Sequence, residues 1–111
     1  MTNSVIAAAT GAFAKGCRDI YGQKLNSVIL FGSCARGDYE QDSDIDIMVL
    51  LDAPHGDAAK VQWRLIEISN KIGLEYDVVI SPVVQSYETF NEYLPASGFF
   101  QSVLKEGVKI A

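Results

Sequence analysis

One histidine, one tryptophan, two cysteines and three prolines are all that this chain of 111 residues holds of those types, and each scarcity closes off a class of function. Two cysteines, Cys17 and Cys34, cannot build a disulfide framework, and a domain of this size needs none, so a reducing cytoplasm is the expected setting. The single histidine, His55, sits between Pro54 and Gly56 in turn chemistry, which leaves a hydrolytic triad without a well-placed base. Basic residues are outnumbered, nine Lys and Arg against fourteen Asp and Glu, and the net charge of −5 has the wrong sign for gripping a nucleic-acid backbone. No apolar run approaches the roughly 20 residues needed to cross a bilayer. The Ala-rich start also lacks the positive charge that precedes the apolar run of an export signal.

What is present is enough for one core. Hydrophobic residues make up 49% and charged residues 21%, the balance of a globular chain, and the length suits a single domain spanning residues 1–111. Ile6, Ala9, Phe13, Cys17 and Ile20 recur at helical spacing with Gly22 at the end, which predicts an amphipathic first helix. Val28-Ile29-Leu30-Phe31 and the run 45–51 read as strands buried on both faces. Val61, Leu65, Ile68 and Ile72 predict a helix that Asp57 caps and Gly73 closes. Residues 76–80 read as a third strand stopped by Ser81-Pro82. Ser86 is placed to cap a short helix carrying Tyr87, Phe90 and Leu94, and a last helix with Phe100, Val103 and Leu104 ends at Gly107.

This order predicts an α/β (α+β) fold, a small mixed sheet of three or slightly more strands flanked by helices. The link from Gly32 to Asp44 is too short for a usual parallel crossover, so the first two strands should be antiparallel. Five of the aromatics, Tyr87, Phe90, Tyr93, Phe99 and Phe100, lie in the last quarter of the chain. Packing of helices against the sheet is the first expectation for them and a partner surface the second.

Chemistry concentrates between Phe31 and Asp52. Residues 38–52 contain Asp38, Glu40, Asp42, Asp44, Asp46 and Asp52 and not one Lys or Arg, a crowding that destabilises a fold unless something positive arrives. Asp44 and Asp46 are two apart, so on a strand both carboxylates leave one face while Ile45 and Ile47 enter the other. Adjacent hard oxygen donors suit Mg²⁺ shared with substrate phosphates. Asp77, at the opening of the expected third strand, would bring a third carboxylate to a two-metal phosphoryl or nucleotidyl transfer site. Upstream, Gly32-Ser33-Cys34-Ala35-Arg36-Gly37 follows a buried strand. There, backbone N–H groups, the Ser33 hydroxyl and the Arg36 cation would hold a triphosphate. Arg36 has a plainer use as a surface partner for Asp38 or Asp42, and Cys34 as small buried packing.

Two other motifs fail on spacing. Gly32 and Gly37 fit the glycines of a P-loop, but Asp38-Tyr39 stands where Lys and Ser/Thr are required. Asp42-x-Asp44-x-Asp46 opens like an EF-hand, yet Ile47 replaces the Gly and Ala53 the closing Glu.

Gly32-Ser33, ten intervening residues, then Asp44-Ile45-Asp46, with Arg36-Gly37-Asp38 inside and Asp77 beyond, resembles the minimal nucleotidyltransferases of the DNA polymerase β superfamily. The likeness runs through Glu106-Gly107-Val108 and so spans nearly the whole chain. It implies a palm-like nucleotidyltransferase fold, ATP as donor and two Mg²⁺ ions as cofactor. Asp44 and Asp46 would hold both metals and Asp77 would help bind the catalytic one, while Gly32, Ser33 and Arg36 would meet the phosphates. Only thirty-four residues follow Asp77, too few to enclose an acceptor, so a second polypeptide is expected to supply it. Minimal nucleotidyltransferases are often paired with a small helical HEPN protein in toxin–antitoxin modules. The leading expectation is therefore an antitoxin that transfers AMP from ATP to a tyrosine of its HEPN toxin. A non-catalytic antitoxin acting by occlusion and a nucleotidyltransferase of small molecules such as antibiotics are the alternatives.

Overall fold

Thr2 starts the chain's first element: its hydroxyl accepts from the Val5 N–H at 3.2 Å, replacing one of the hydrogen bonds that a helix N-terminus lacks. From there α1 spans Asn3–Tyr21 and buries Ile6, Ala9, Phe13 and Cys17, the expected stripe, with Ile20 only half-buried at its margin. Gly22, at φ 58°, ends it. The computed structural model describes residues 1–54, 57–58 and 62–111; the proposed turn at His55 and Gly56 and the helical position of Val61 lie outside the described residues.

After α1 come β1 (Leu25–Phe31), a short α2 (Ser33–Arg36), β2 (Ile45–Leu51), α3 (Gln62–Tyr76), β3 (Ile80–Ser86), α4 (Tyr87–Tyr93), α5 (Gly98–Glu106) and β4 (Val108–Lys109). The strands form one mixed sheet in the order β3-β2-β1-β4. β1 and β2 are antiparallel, as the short link required, with Phe31 opposite Asp46 at one end and Leu25 opposite Leu51 at the other. β2 and β3 are parallel, with Ile45 opposite Ile80 and Asp46 opposite Ser81. β4 adds two residues antiparallel to β1.

Because side chains alternate along a strand, the two central strands feed two cores. Val28, Leu30, Ile45, Ile47, Val49 and Leu51 join Phe13 of α1 and Leu65 and Ile72 of α3. Ile29, Met48 and Leu50 face the other way, onto Phe90 of α4 and Val103 of α5. Gly16 lets α1 settle on α3, since a Cβ there would lie 3.1 Å from Ile68 Cγ2. Among the described residues no helix is long and apolar enough to cross a membrane.

The third strand differs from the expectation. Helix α3 does not stop at Gly73 but runs to Tyr76, and the strand begins at Ile80 and passes through Ser81 and Pro82 instead of stopping there. Gly73 serves the turn rather than the cap: Val78 N–H donates to its carbonyl at 3.0 Å, and a Cβ would meet the Val78 carbonyl oxygen at 2.7 Å. The residue that reverses the chain is Asp77, at φ 55°, a left-handed conformation that Asp tolerates better than most side chains. Pro82 is accepted because β3 is an edge strand, where one N–H per pair of residues faces outward anyway.

Ser86 caps α4 as expected, accepting from the Thr89 N–H at 3.4 Å. Only some of the late aromatics have the first expected use, packing of helices against the sheet. Phe90 and Phe100 pack with centroids 4.6 Å apart, whereas Tyr87, Tyr93 and Phe99 are exposed. Leu104, read as an inward position of the last helix, is also exposed.

Phe90→Ala should cost about 3–5 kcal/mol, the usual range for deleting a buried ring, in urea unfolding. Gly11→Ala should gain about 0.5–1 kcal/mol from helix propensity, because nothing lies within 4 Å of a Cβ placed there.

Candidate active site

The antiparallel ladder ends where Phe31 faces Asp46, and the next residue, Gly32, turns the chain at φ 74° and ψ −155°, a conformation essentially closed to residues with a Cβ. A Cβ on Gly32 would sit 2.5 Å from Asp46 Oδ2. The absent side chain is thus what lets the Asp46 carboxylate lie against the backbone of the turn. The Gly32 carbonyl accepts from the Ala35 and Arg36 N–H groups at 3.1 Å each, and the Gly37 N–H donates to the Ser33 carbonyl at 2.9 Å. Gly37 then leaves at φ 88°. Gly32, Ser33 and Arg36 are therefore brought together in one helical turn directly beside Asp46.

Asp44 lies just before β2 and is exposed, while Asp46, the second residue of β2, is half-buried. Asp46 is on the face that carries Met48 and Leu50. Burial pushes the Asp46 carboxyl up from its ordinary value, the negative charge of Asp44 adds to this, and the Arg36 cation partly opposes both. Two carboxylates held close enough to feel each other form a donor set that suits a divalent cation. Mg²⁺ takes one or two protein carboxylates and fills its remaining positions with water and phosphate oxygens.

Cys34 is a packing residue: it is buried, and its thiol donates to the Asp44 carbonyl at 3.6 Å, tying the turn to the start of β2. Burial, with the charges of Asp46 and Asp44, pushes that thiol up, the opposite of an activated nucleophile.

Arg36 has the partner that its sequence neighbourhood suggested and one that it did not. Its Nε donates to Asp38 Oδ2 at 3.2 Å and its Nη1 to Glu106 Oε2 at 3.4 Å. Glu106 closes α5, seventy positions along the chain, and only the resemblance at Glu106-Gly107-Val108 pointed toward it. Gly107 explains the placement, because a Cβ there would lie 2.6 Å from Ile29 Cγ2; without one, the end of α5 drops onto β1 beside the turn.

Asp77 is not on a strand. It is exposed in the turn between α3 and β3 and lines a shallow depression of about 180 Å³ with Asp42, Ser43, Val78 and Val79. The residue of the third strand directly beside Asp46 is Ser81, which the misplaced strand start concealed. Among the described residues, no three His, Cys, Asp or Glu side chains gather as a metal-ligating group. The acidic loop is anchored to the N-terminus of the chain, with the Tyr39 hydroxyl donating to Asn3 Oδ1 at 2.6 Å and the N-terminal amine to Gln41 Oε1 at 2.7 Å.

The model of the nucleotidyltransferase domain family matches residues 12–110. A Methanocaldococcus jannaschii protein named "Putative protein adenylyltransferase MJ0604" is 38% identical over 95 residues, which cover 86% of this chain and 87% of that protein. Another from the same organism, "Putative protein adenylyltransferase MJ0141", is 41% identical over 73 residues, 65% of this chain and 71% of that protein. Among solved structures, a variant of the toxin–antitoxin MntA-HpeT is 26% identical with a TM-score of 0.58, covering 88% of this chain and 68% of that one. A structure described as a putative minimal nucleotidyltransferase, 21% identical, has a TM-score of 0.65 over 97% of this chain and 95% of its own; that likeness shows the fold.

Two outcomes test the electrostatics and the close approach. In chelator, Asp46→Asn should melt above the parent at pH 7. A carboxyl whose folded pKa is raised destabilises fully above that pKa and not at all below its unfolded value near about 3.9. The difference should therefore vanish as the pH falls through that window. Gly32→Ala should lose about 1–3 kcal/mol from backbone strain alone, and more from the contact with Asp46, read by thermal melts.

Proposed function

Because this chain belongs to the nucleotidyltransferase domain family, whose model matches it over residues 12–110, we propose that it transfers AMP from ATP to a hydroxyl of a partner protein. The observation that carries this reading is the Asp44–Asp46 pair set against the Gly32–Gly37 turn, which would serve as a cation site beside an anion site. The name of the relative matched over 86% of this chain specifies a protein adenylyltransferase, and a structural neighbour is an MntA-HpeT toxin–antitoxin. Both support an antitoxin that modifies its toxin; a tyrosine of a HEPN protein is the acceptor proposed, on the resemblance to minimal nucleotidyltransferases.

In this reading the Ser33 hydroxyl and the Arg36 guanidinium orient the triphosphate, since the Ala35, Arg36 and Gly37 N–H groups already serve the turn's own carbonyls. Arg36 must first exchange Asp38 and Glu106 for phosphate oxygens. Its ion pairs are exposed and so worth little in water, which keeps that exchange easy. Asp44 and Asp46 would hold two Mg²⁺ ions, which supply charge neutralisation at the α-phosphate and a more acidic acceptor hydroxyl. The acceptor hydroxyl gives up its proton to water as its oxygen forms a bond to the α-phosphorus, the bond from that phosphorus to the oxygen bridging to the β-phosphate breaks, and pyrophosphate leaves. Asp77 occupies the same end of the sheet as Asp44 and is proposed to join the site from its turn when substrate and metal are bound. The attached AMP adds charge and bulk to the acceptor, enough to block a toxin's own active site.

The test is intact-mass spectrometry of the partner recovered with the tagged protein, after incubation with ATP and Mg²⁺. One or more AMP units should be added, and Asp44→Asn/Asp46→Asn should reduce the rate by about two orders of magnitude or more, the scale of losing transition-state charge stabilisation. A tightly bound partner of unchanged mass would instead favour occlusion. Asp77→Asn isolates the third carboxylate, since Asn keeps the left-handed turn. A rate loss at unchanged melting temperature places Asp77 in the reaction, and an unchanged rate removes it.

A further inference from the structure

Helix α3 is apolar on two faces. Leu65 and Ile72 enter the core shared with α1. On the opposite side Trp63, Ile66 and Leu74 are 64%, 52% and 88% exposed, with Asn70 exposed between them. Positions 63, 66, 70 and 74 are three, four and four apart and so form one continuous stripe along the helix. Large apolar side chains exposed in a row on a small protein mark a contact surface.

A second row is self-complementary in charge and so suits a second copy of this chain as the occupant. Arg64, Glu67, Lys71 and Glu75, each one residue beyond a member of the stripe, are all exposed. Among the described residues, the ion pairs within the chain are those of Arg36, so none of these four is neutralised that way. Read along the helix, their signs are plus, minus, plus, minus. When two copies of such a helix pack antiparallel about a two-fold axis near residues 68–69, flanks on the same side meet. Arg64 then faces Glu75 of the second copy and Glu67 faces its Lys71, each pair occurring twice. In the same arrangement Trp63 meets Leu74 and Ile66 meets Asn70. A parallel pairing would set the charged row against the flank carrying Ser69 and Gly73 and leave it unmatched.

We propose that the exposed face of α3 is a homodimer interface, in which two copies of this chain pack α3 against α3 antiparallel, apolar stripe on apolar stripe, with the flanking charges paired across the two-fold. The Asp46 end of the candidate active site stays open in this dimer, whereas Asp77 lines a depression with Asn70 and Leu74 of the stripe. Asp46 lies on the sheet face covered by α4 and α5, whereas α3 covers the other. The proposal is independent of the transferase reading, because nothing in it requires nucleotide.

The test is sedimentation equilibrium of the full chain, with the emission of Trp63, the sole tryptophan, as a second reporter. The parent should dimerise with rising concentration while the Trp63 emission shifts to the blue. Glu67→Lys and Lys71→Glu should each weaken the dimer by about tenfold or more, since the symmetry converts two attractions into two repulsions at once. The double variant Glu67→Lys/Lys71→Glu should restore it. Leu74→Gln should weaken the dimer without changing the far-UV circular dichroism, its side chain being almost wholly exposed. A chain that is monomeric at every concentration overturns the proposal and gives the stripe to a heterologous partner. A dimer indifferent to both single reversals overturns it equally.

Discussion

The contact between the Gly32 backbone and the Asp46 carboxylate is the constraint on which the rest of the site depends. It exists because β1 and β2 pair antiparallel with Phe31 opposite Asp46, so the residue that leaves β1 must turn directly over the acid on β2. Any Cβ at that point would collide with the carboxylate. A positive-φ glycine both reverses the strand and makes room for a buried negative charge, and the same turn presents Ser33 and Arg36 beside it. One stretch of chain thus sets the Gly32–Gly37 turn, with Ser33 and Arg36, next to the Asp46 carboxylate, the juxtaposition on which the proposed nucleotide transfer rests.

Such a site has a cost that the surrounding fold must offset. Half-burying Asp46 beside Asp44 raises the free energy of the folded state at neutral pH, and the nearest cation, Arg36, is exposed and divided between Asp38 and Glu106. The offset comes from β1 and β2, whose central residues are buried on both faces and hold the two carboxylates on a rigid platform. A strained, charge-crowded site on a well-packed scaffold is the arrangement expected where function opposes stability.

The helices divide the labour. α4 and α5 close the sheet face on the same side as Asp46, and α5 also delivers Glu106 to Arg36. α1 and α3 close the other face, and α3 presents its remaining side outward. The outward side of α3 and the Asp46 carboxylate therefore belong to opposite sides of the sheet.

Much of this was legible in the amino-acid order because it depends on local periodicity. Alternation put Asp46 on the face opposite Ile45 and Ile47, unbroken apolar runs marked β1 and β2 as buried on both sides, and the ten residues between Ser33 and Asp44 required an antiparallel pair, while Asp44, read as a strand residue, lies just before β2. Ser86 and Gly22 were readable as helix boundaries for the same reason. What the sequence left open depends on contacts between distant residues. Gly73 looked like a helix end because a closing glycine and a glycine under a returning carbonyl are the same letter; only the position of Val78 separates them. That choice moved Asp77 from a strand into a turn and put Ser81 beside Asp46. The order β3-β2-β1-β4, the short β4 and the reach of Glu106 to Arg36 were likewise decided by packing across the sheet. The sequence by itself determined which residues carry the charge and on which face of β2 Asp46 lies, since a strand's period is fixed by covalent geometry. Which other residues meet them was decided by the tertiary structure alone, because that follows from how two cores close around the same two strands.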